Sequence, residues 1–361
     1  MKSIVHISEV DISLETGMGR VETHWKKAFE DFGMNFIHIG PKEVGHVSHK
    51  GLFPYAAFKY FKNLNIHPRA IIAHEPTSGL FVNRGIPCFV ESHGVERRAW
   101  ENKNFKSNNL KEQISSYKTR LLFPLWRLHN CDKGLKHADK LLLINSDDSQ
   151  YVKYKYKRNN EDIFVFKNGV NFVPDIDAKI EENFSYTIVF NGTWIERKGI
   201  HTLIKAANLL YQENIIIKYL LIGTIKNKEE VLADWPEYLH SFITVVPRFV
   251  QNEEVKLLSQ ALLFILPSFS EGQPLSLLQA MAIGKCCITT NCCGQKDIIT
   301  NDIDGLLFEP GNHEELALLI KRCVLDTLLC QTIGLSAKEK MKNFNWKLVS
   351  DEVANFVLKN S

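Results

Sequence analysis

Short apolar runs rich in Ile, Val, Leu and Phe alternate along the chain with stretches in which apolar residues recur at helical spacing. This is the pattern of repeated β-α units feeding parallel sheets. It predicts strands over Ile4–Ser8, Asn35–Ile39, Ala70–Ala73, Cys88–Glu91, Leu141–Ile144 and Ile163–Phe166, with helices filling 20–32, 55–64, 108–130 and 147–156. Residues 171–185 (NFVPDIDAKIEENFS) break the rhythm with Pro174 and a polar, acidic run that reads as a linker. The rhythm then restarts, with strands over Thr187–Asn191, Lys218–Ile222, Ile243–Val246, Leu262–Leu266, Cys287–Thr290 and Gly305–Phe308, and helices near 199–212, 252–260, 275–283 and 313–325. A last helix over 346–359 carries Trp346, Val349, Val353, Phe356 and Val357 on one face. The expected fold class is α/β, with two Rossmann-like, doubly wound parallel-sheet domains facing across a cleft and ligands at the carboxyl ends of the strands. The expected domains are 1–175 and 176–345, followed by the terminal helix in 346–361.

Composition supports two cores: 361 residues at 45% hydrophobic exceed what one domain of ordinary size holds. Charged residues at 24% and aromatics at 11% exclude a disordered or collagen-like chain. The net charge of +3 hides an asymmetry, since residues 1–175 carry 26 Lys/Arg against 19 Asp/Glu and the remainder 18 against 22. The excess concentrates between Arg97 and Arg158, with 15 basic against 6 acidic residues and Trp100, Phe105, Phe123 and Trp126 interspersed. Such a segment suits an anionic surface, either phospholipid head groups or a lipid-diphosphate-linked glycan. It equally suits a solvated helix face. No recognised nucleic-acid module accompanies it, so no nucleic-acid partner is expected.

The eight cysteines form no C-x-x-C pair, which fits a reduced cytosolic protein better than a disulfide framework. Cys286-Cys287 and Cys292-Cys293 place neighbours on opposite strand faces and read as small hydrophobes rather than as ligands of one ion. The N-terminus enters a strand-like run without a signal-peptide pattern, and no segment reaches the roughly 20 apolar residues needed to span a bilayer. The expected location is therefore cytoplasmic, with membrane contact, if any, peripheral and at the inner face of the cytoplasmic membrane.

Three loops carry candidate chemistry. Gly17-Met18-Gly19-Arg20 follows the first strand and opens a helix, where backbone amides can approach a phosphate or sugar. Glu22 stands where the dinucleotide fingerprint has its third glycine, which disfavours NAD. In the second half, a strand ends in Asn191 to Gly199 (NGTWIERKG), and Pro267 to Leu275 (PSFSEGQPL) opens the helix SLLQAMAIG. Both loops belong at strand carboxyl ends on one rim. There a cation pair, Arg197 and Lys198, can face a helix N-terminus and hold a diphosphate. Two D-x-D tripeptides, at 175–177 and 302–304, fall in the linker and in a loop, and no metal ligand is expected of them.

These segments resemble the GT-B glycosyltransferases, in particular the retaining family 4 (glycosyltransferase group 1). The matching pieces are the early glycine loop, VESHGVE at 90–96, FKNGV at 166–170, GTWIERKG at 192–199, PSFSEGQPLSLLQAMAIGK at 267–285 and CCGQKDIITNDIDGLLFEPGN at 292–312. The resemblance implies a nucleoside diphosphate-sugar donor of UDP or GDP type, no metal or other cofactor, and a last helix that crosses back onto the first domain. It implies a glycan or lipid-linked acceptor, with polysaccharide or lipopolysaccharide assembly as the setting. By the same resemblance Glu271 accepts from donor-sugar hydroxyls, Lys198 neutralises the leaving diphosphate and His93 approaches the sugar from the first domain. Gly17 and Gly19 line the cleft opposite, and Arg248 flanks the nucleobase. Of Gln273, Pro274 and Leu275, only the first and last have an amide to donate. The chain departs from the family at two positions. Gln279 stands where the family has the glutamate that grips the ribose, and Thr193 where it has an arginine that Arg197 could replace. These departures keep a non-catalytic GT-B partner subunit open as an alternative, and a GT-B nucleotide-sugar epimerase is a third.

Overall fold

The computed structural model describes residues 2–101, 123–171 and 186–361. The chain divides into two compact units, Met1–Lys167 with Lys347–Ser361, and Asn168–Trp346. Each of the twelve strands among the described residues lies where the apolar runs predict it, with ends shifted by no more than one residue.

The first unit holds a six-stranded sheet in the order β2-β1-β3-β4-β5-β6, every pair parallel. Its strands are β1 Ser3–Ile7, β2 Asn35–Ile39, β3 Ala70–His74, β4 Cys88–Ser92, β5 Lys140–Leu143 and β6 Ile163–Val165. The inner strands β1, β3, β4 and β5 are buried over nearly their whole length and are mostly apolar, whereas the edge strands β2 and β6 are partly exposed. His6 and Glu91 are ionisable residues inside that buried layer, both fully buried. Helix Gly17–Asp31 turns Val21, Trp25, Ala28 and Phe29 inward at helical spacing, and Trp25 meets Phe166 edge-on. The terminal helix Trp346–Lys359 belongs to this unit from Lys347 onward. It buries Val349, Val353 and Val357, stacks Phe356 on Phe164, and is tied at its end by Arg69, whose Nε donates to Ser361 Oγ at 2.9 Å.

The second unit repeats the architecture in the order β12-β11-β10-β7-β8-β9, again all parallel. Its strands are β7 Tyr186–Asn191, β8 Tyr219–Ile222, β9 Ile243–Val246, β10 Ala261–Leu266, β11 Cys286–Thr290 and β12 Leu306–Phe308. In each sheet the chain winds outward on one side and then on the other. The order therefore reverses between β1 and β3 in the first and between β7 and β10 in the second, the points at which open α/β sheets bind ligands.

Three sequence expectations shift. The division falls at Lys167/Asn168, ahead of 175/176, because Val170 donates to the Phe344 carbonyl at 2.8 Å and Asn168 is bonded to Gln273. Helix His129–His137 runs beyond residue 130, where Leu128, Cys131 and Leu135 continue a buried stripe. Helix Thr327–Met341 has no counterpart among the helices that the sequence pattern predicts. Its buried face is made of Cys330, Ile333, Gly334, Ala337 and Met341 while Leu328 and Leu335 face solvent, so its apolar pattern carries little amphipathic signal. The linker, its D-x-D tripeptide at 175–177 and most of the helix at 108–130 lie outside the described residues. No described helix is long and apolar enough to cross a membrane.

Candidate active-site clusters

In the second unit the loops after β7 and β10 meet at the sheet's reversal point. Trp194 anchors the first loop, its ring buried against Phe190 and Trp235 and its Nε1 donating to Asp234 at 2.8 Å. Glu196–Lys198 then form a single 3-10 turn that ends at Gly199. This glycine has φ +72°, and a Cβ there would fall on the Pro267 carbonyl, so no other residue lets the two loops close. The Phe269 amide donates to the Arg197 carbonyl at 2.9 Å, and Arg197 Nη1 donates to the Ser270 carbonyl at 2.6 Å.

This frame brings Glu271 between two cations. Its Oε1 lies 2.7 Å from Lys198 Nζ and 3.2 Å from Arg197 Nη1. Neither cation is aligned on Oε1 for a hydrogen bond, so the oxygen is ion-paired but keeps hydrogen-bonding capacity. Lys198 runs across Gly192, where a Cβ would sit 3.4 Å from Lys198 Cε. Lys198 is nearly buried and Arg197 half exposed. Gln273 is buried and its polar groups serve the fold, since its side-chain oxygen accepts from the Asn168 amide and its carbonyl from Asn168 Nδ2. Pro274 precedes helix Leu275–Ala282, and Gln279 lies on that helix, buried, with Nε2 lacking a partner among the described residues. Thr193 is exposed, and Arg248, also exposed, follows β9 on the same rim, two strands away from β7. The D-x-D at 302–304 is spent on ion pairs, Asp302 with Arg322 and Asp304 with Lys340.

His93, Gly17 and Gly19 belong to the first unit. His93 follows β4, and its Nε2 lies 2.6 Å from Glu91 Oε1. The other oxygen of Glu91 lies 3.0 Å from His6 Nε2, and His6 Nδ1 lies 2.9 Å from His38 Nδ1. A carboxylate at Glu91 accepts from both rings, which fixes Nε2 as the protonated nitrogen on each and leaves Nδ1 of a neutral His93 as an acceptor. Burial alone would raise the Glu91 carboxyl, but the hydrogen bonds and charges of His6 and His93 hold it well below the usual range. Burial works against a charged His6, yet Glu91 and Glu22 raise it. Glu22, on the helix opened by the glycine loop, is pushed up to about 7 by burial, against the opposing charge of His6. Gly17 is exposed. Gly19 is buried, its amide already bonded to Thr16 Oγ1 at 3.2 Å and its missing Cβ demanded by the Asp11 and Ser13 carbonyls.

The basic segment is largely neutralised where it is described. Arg97 pairs with Asp132, Arg98 with Asp147 and Asp148, Arg127 with Glu9 and Glu96, and Lys155 with Glu101. A cavity of about 670 Å³ remains beside these pairs, with Lys133, Lys136, His129 and His137 on its wall.

Sequence reasoning missed Glu91, His6, Glu22, His38 and Asn168. Glu91 and Asn168 lie within the quoted segments VESHGVE and FKNGV but carry no local sign of their partners, and His6, Glu22 and His38 show only as polar residues inside apolar strand and helix patterns. It also singled out the adjacent cysteine pairs, whereas the thiols that lie together are Cys286, Cys323 and Cys330, from one strand and two helices.

Residues 174–340 match the family of glycosyl transferases group 1. Among curated proteins, the chain is 27% identical over 251 residues to the capsular polysaccharide biosynthesis glycosyltransferase CapM of Staphylococcus aureus, covering 61% of this chain and 65% of CapM, under two thirds of that relative's length. It is 22% identical to the N,N'-diacetylbacillosaminyl-diphospho-undecaprenol α-1,3-N-acetylgalactosaminyltransferase of Campylobacter jejuni, over 91% of this chain and 87% of the relative. Among solved structures, the sucrose-phosphate synthase of Thermosynechococcus elongatus superposes with a TM-score of 0.80 at 18% identity, over 99% of both chains. The fold is thus that of the GT-B glycosyltransferases.

Proposed function

We propose that the chain, whose residues 174–340 match the glycosyl transferases group 1 family, is a retaining glycosyltransferase. It moves a sugar from a UDP- or GDP-sugar to a lipid-linked or polysaccharide acceptor without a metal. The observation that carries the reading is the placement of Glu271 between Lys198 and Arg197 at the β7/β10 reversal point. On donor binding the diphosphate takes over the two cations, and Glu271, released from them, accepts hydrogen bonds from hydroxyls of the donor sugar. The bond from sugar C1 to the diphosphate loosens toward an oxocarbenium-like state while Lys198, Arg197 and the amides opening helix Leu275–Ala282 stabilise the departing oxygens. The acceptor hydroxyl attacks from the same face and passes its proton to a leaving oxygen.

The two departures from the family bear on affinity. The buried Gln279 Nε2 is a donor without a partner among the described residues, and a ribose hydroxyl oxygen would satisfy it. That supports nucleotide binding over a non-catalytic partner subunit. A thermal-shift screen across nucleoside diphosphates and their sugars tests the reading, because a ligand of the native state raises its stability. A shift with one nucleoside diphosphate that is lost in Lys198→Ala supports it, and no shift with any of them removes it.

A lipid-linked acceptor is supported by relatives named for diphospho-undecaprenol-linked sugars. Such an acceptor places the enzyme at the inner face of the cytoplasmic membrane, in peripheral contact through residues 97–158. The cavity walled by Lys133 and Lys136 is the described part of that segment best suited to an anionic head group. Co-sedimentation with anionic vesicles at low salt checks the contact, and vesicles that leave the protein in the supernatant refute it.

A further inference from the structure

We propose that His6, Glu22 and His38 form a binding site for one divalent transition-metal ion of the zinc class inside the first unit. Each residue offers one ligand atom, and these atoms all lie within 4.8 Å of one another. The three come from three elements, β1, helix Gly17–Asp31 and β2, so the fold and not a local loop assembles them. Two imidazoles and a carboxylate are the ligand set of open zinc sites, in which a fourth position is left to water. The two Nδ1 atoms, 2.9 Å apart, need to separate by only a few tenths of an ångström to reach the spacing of about 3.3 Å that two nitrogens take on one tetrahedral ion.

Glu22 is the feature that packing does not explain. It is fully buried, and neither carboxylate oxygen has a hydrogen-bond partner among the described residues. The Ser8 hydroxyl lies close enough to favour the charged form, but not at full hydrogen-bond geometry. A buried carboxyl without partners costs folding free energy, and a cation bound between it and the imidazoles removes that cost. Glu91 completes the arrangement. It holds the far nitrogen of His6 at 3.0 Å, the carboxylate–histidine–metal relation that orients metal-binding imidazoles. Two carboxylates, Glu22 and Glu91, balance one divalent ion, so the loaded cluster is neutral with both histidines uncharged. His38 is partly exposed and also faces Asp11 and Glu43 on its outer side. Those carboxylates are held by the Lys42 and Gly40 amides and mark the way in for a cation.

The site is independent of the transfer reading, and its test reads metal binding directly. Full-length protein stripped with a chelator is expected to take up one equivalent of zinc, added as the metal alone, and its Tm to rise with zinc concentration. Cobalt(II) in place of zinc is expected to give the visible d–d bands of a four- or five-coordinate ion without a thiolate charge-transfer band. Glu22→Gln and His38→Gln are each expected to weaken binding by at least about tenfold, and Glu91→Gln by about 10–100-fold. His38 is partly exposed, so its variant keeps the test decisive should Glu22→Gln fail to fold. Cys323→Ser is expected to change nothing. The proposal is overturned by an absence of stoichiometric uptake or by uptake that His38→Gln leaves intact. A thiolate band that Cys323→Ser abolishes also overturns it, because the ion then sits at Cys286, Cys323 and Cys330.

Discussion

The two units both build an all-parallel six-stranded sheet, with one strand beyond the reversal in the first and two in the second, and they present opposite electrostatic solutions at the reversal point. In the second, Glu271 is shared by a nearly buried lysine and a half-exposed arginine, an arrangement that opens toward solvent on the arginine side. In the first, Glu91, His6 and Glu22 are fully buried and answer chiefly to one another. Each rim is thereby fitted to different work. A cation pair open to solvent on one side can exchange one anion for another without leaving the buried charge unpaired, which suits a diphosphate that must arrive and leave. Buried imidazoles and carboxyls instead couple charge to proton occupancy, which suits holding a ring in one tautomer.

Lys198→Ala puts the contrast to its most severe trial. Removing one preorganised contact to a departing oxyanion is expected to lower kcat by about a hundredfold or more with the donor saturating. Arg197→Ala is expected to cost less, because Arg197 stands half in solvent and its charge is more heavily screened. Equal effects of the two variants in a steady-state transfer assay would show that burial does not grade the cations.

Glu91→Gln probes the other rim. An amide cannot accept from both His6 and His93 while also balancing their charge, so His93 loses its fixed tautomer. The expected result is a kcat lower by about tenfold to a hundredfold, less than removing a positioned acid–base group outright, together with an altered pH–rate profile. A drop in kcat with the profile unchanged would reduce Glu91 to a packing role.

The same contrast explains what could be read in the sequence. Lys198 and Glu271 were legible because each sits in a contiguous loop whose glycine, proline and charge spacing is set locally, and neighbouring parallel strands bring such loops together. The inner strands were legible because burial on both faces makes them nearly continuous apolar runs. The cluster in the first unit was not legible, since His6, Glu22, His38 and Glu91 share no spacing and meet only through the order β2-β1-β3-β4. Gln273 shows the limit from the other side. Its motif position suggested donor contact through its backbone amide, and its side chain and carbonyl turn out in addition to be committed to Asn168, a second task that no local pattern announces.

A weaker effect, on stability, separates the rims by pH. Burial, helped by the Glu96 carboxylate, pushes Glu75 up to about 8 from an ordinary 4.5, and Glu22 rises to about 7. A carboxyl raised in the folded state binds its proton more tightly there than in the unfolded chain. Its contribution is complete below about 4.5 and is lost as pH rises toward the folded value. His6, also raised, works in the same direction above its ordinary 6.5. His38 and His74, lowered chiefly by burial to about 3, oppose it only below 6.5. Between pH 6.5 and 8, therefore, the first unit alone is expected to lose stability, with Glu75 contributing about 2 kcal/mol at roughly 1.4 kcal/mol per pH unit. Glu75→Gln keeps one acceptor oxygen for the Glu96 amide and turns its NH2 toward the Ser92 hydroxyl oxygen, as a protonated carboxyl would turn its O–H, while removing the titrating proton. Urea unfolding at the two pH values should accordingly show a shallower pH slope in Glu75→Gln than in the parent chain. An unchanged slope would mean that the buried carboxyls of the first unit do not carry its proton dependence, and the electrostatic contrast between the two rims would then reduce to a difference in exposure.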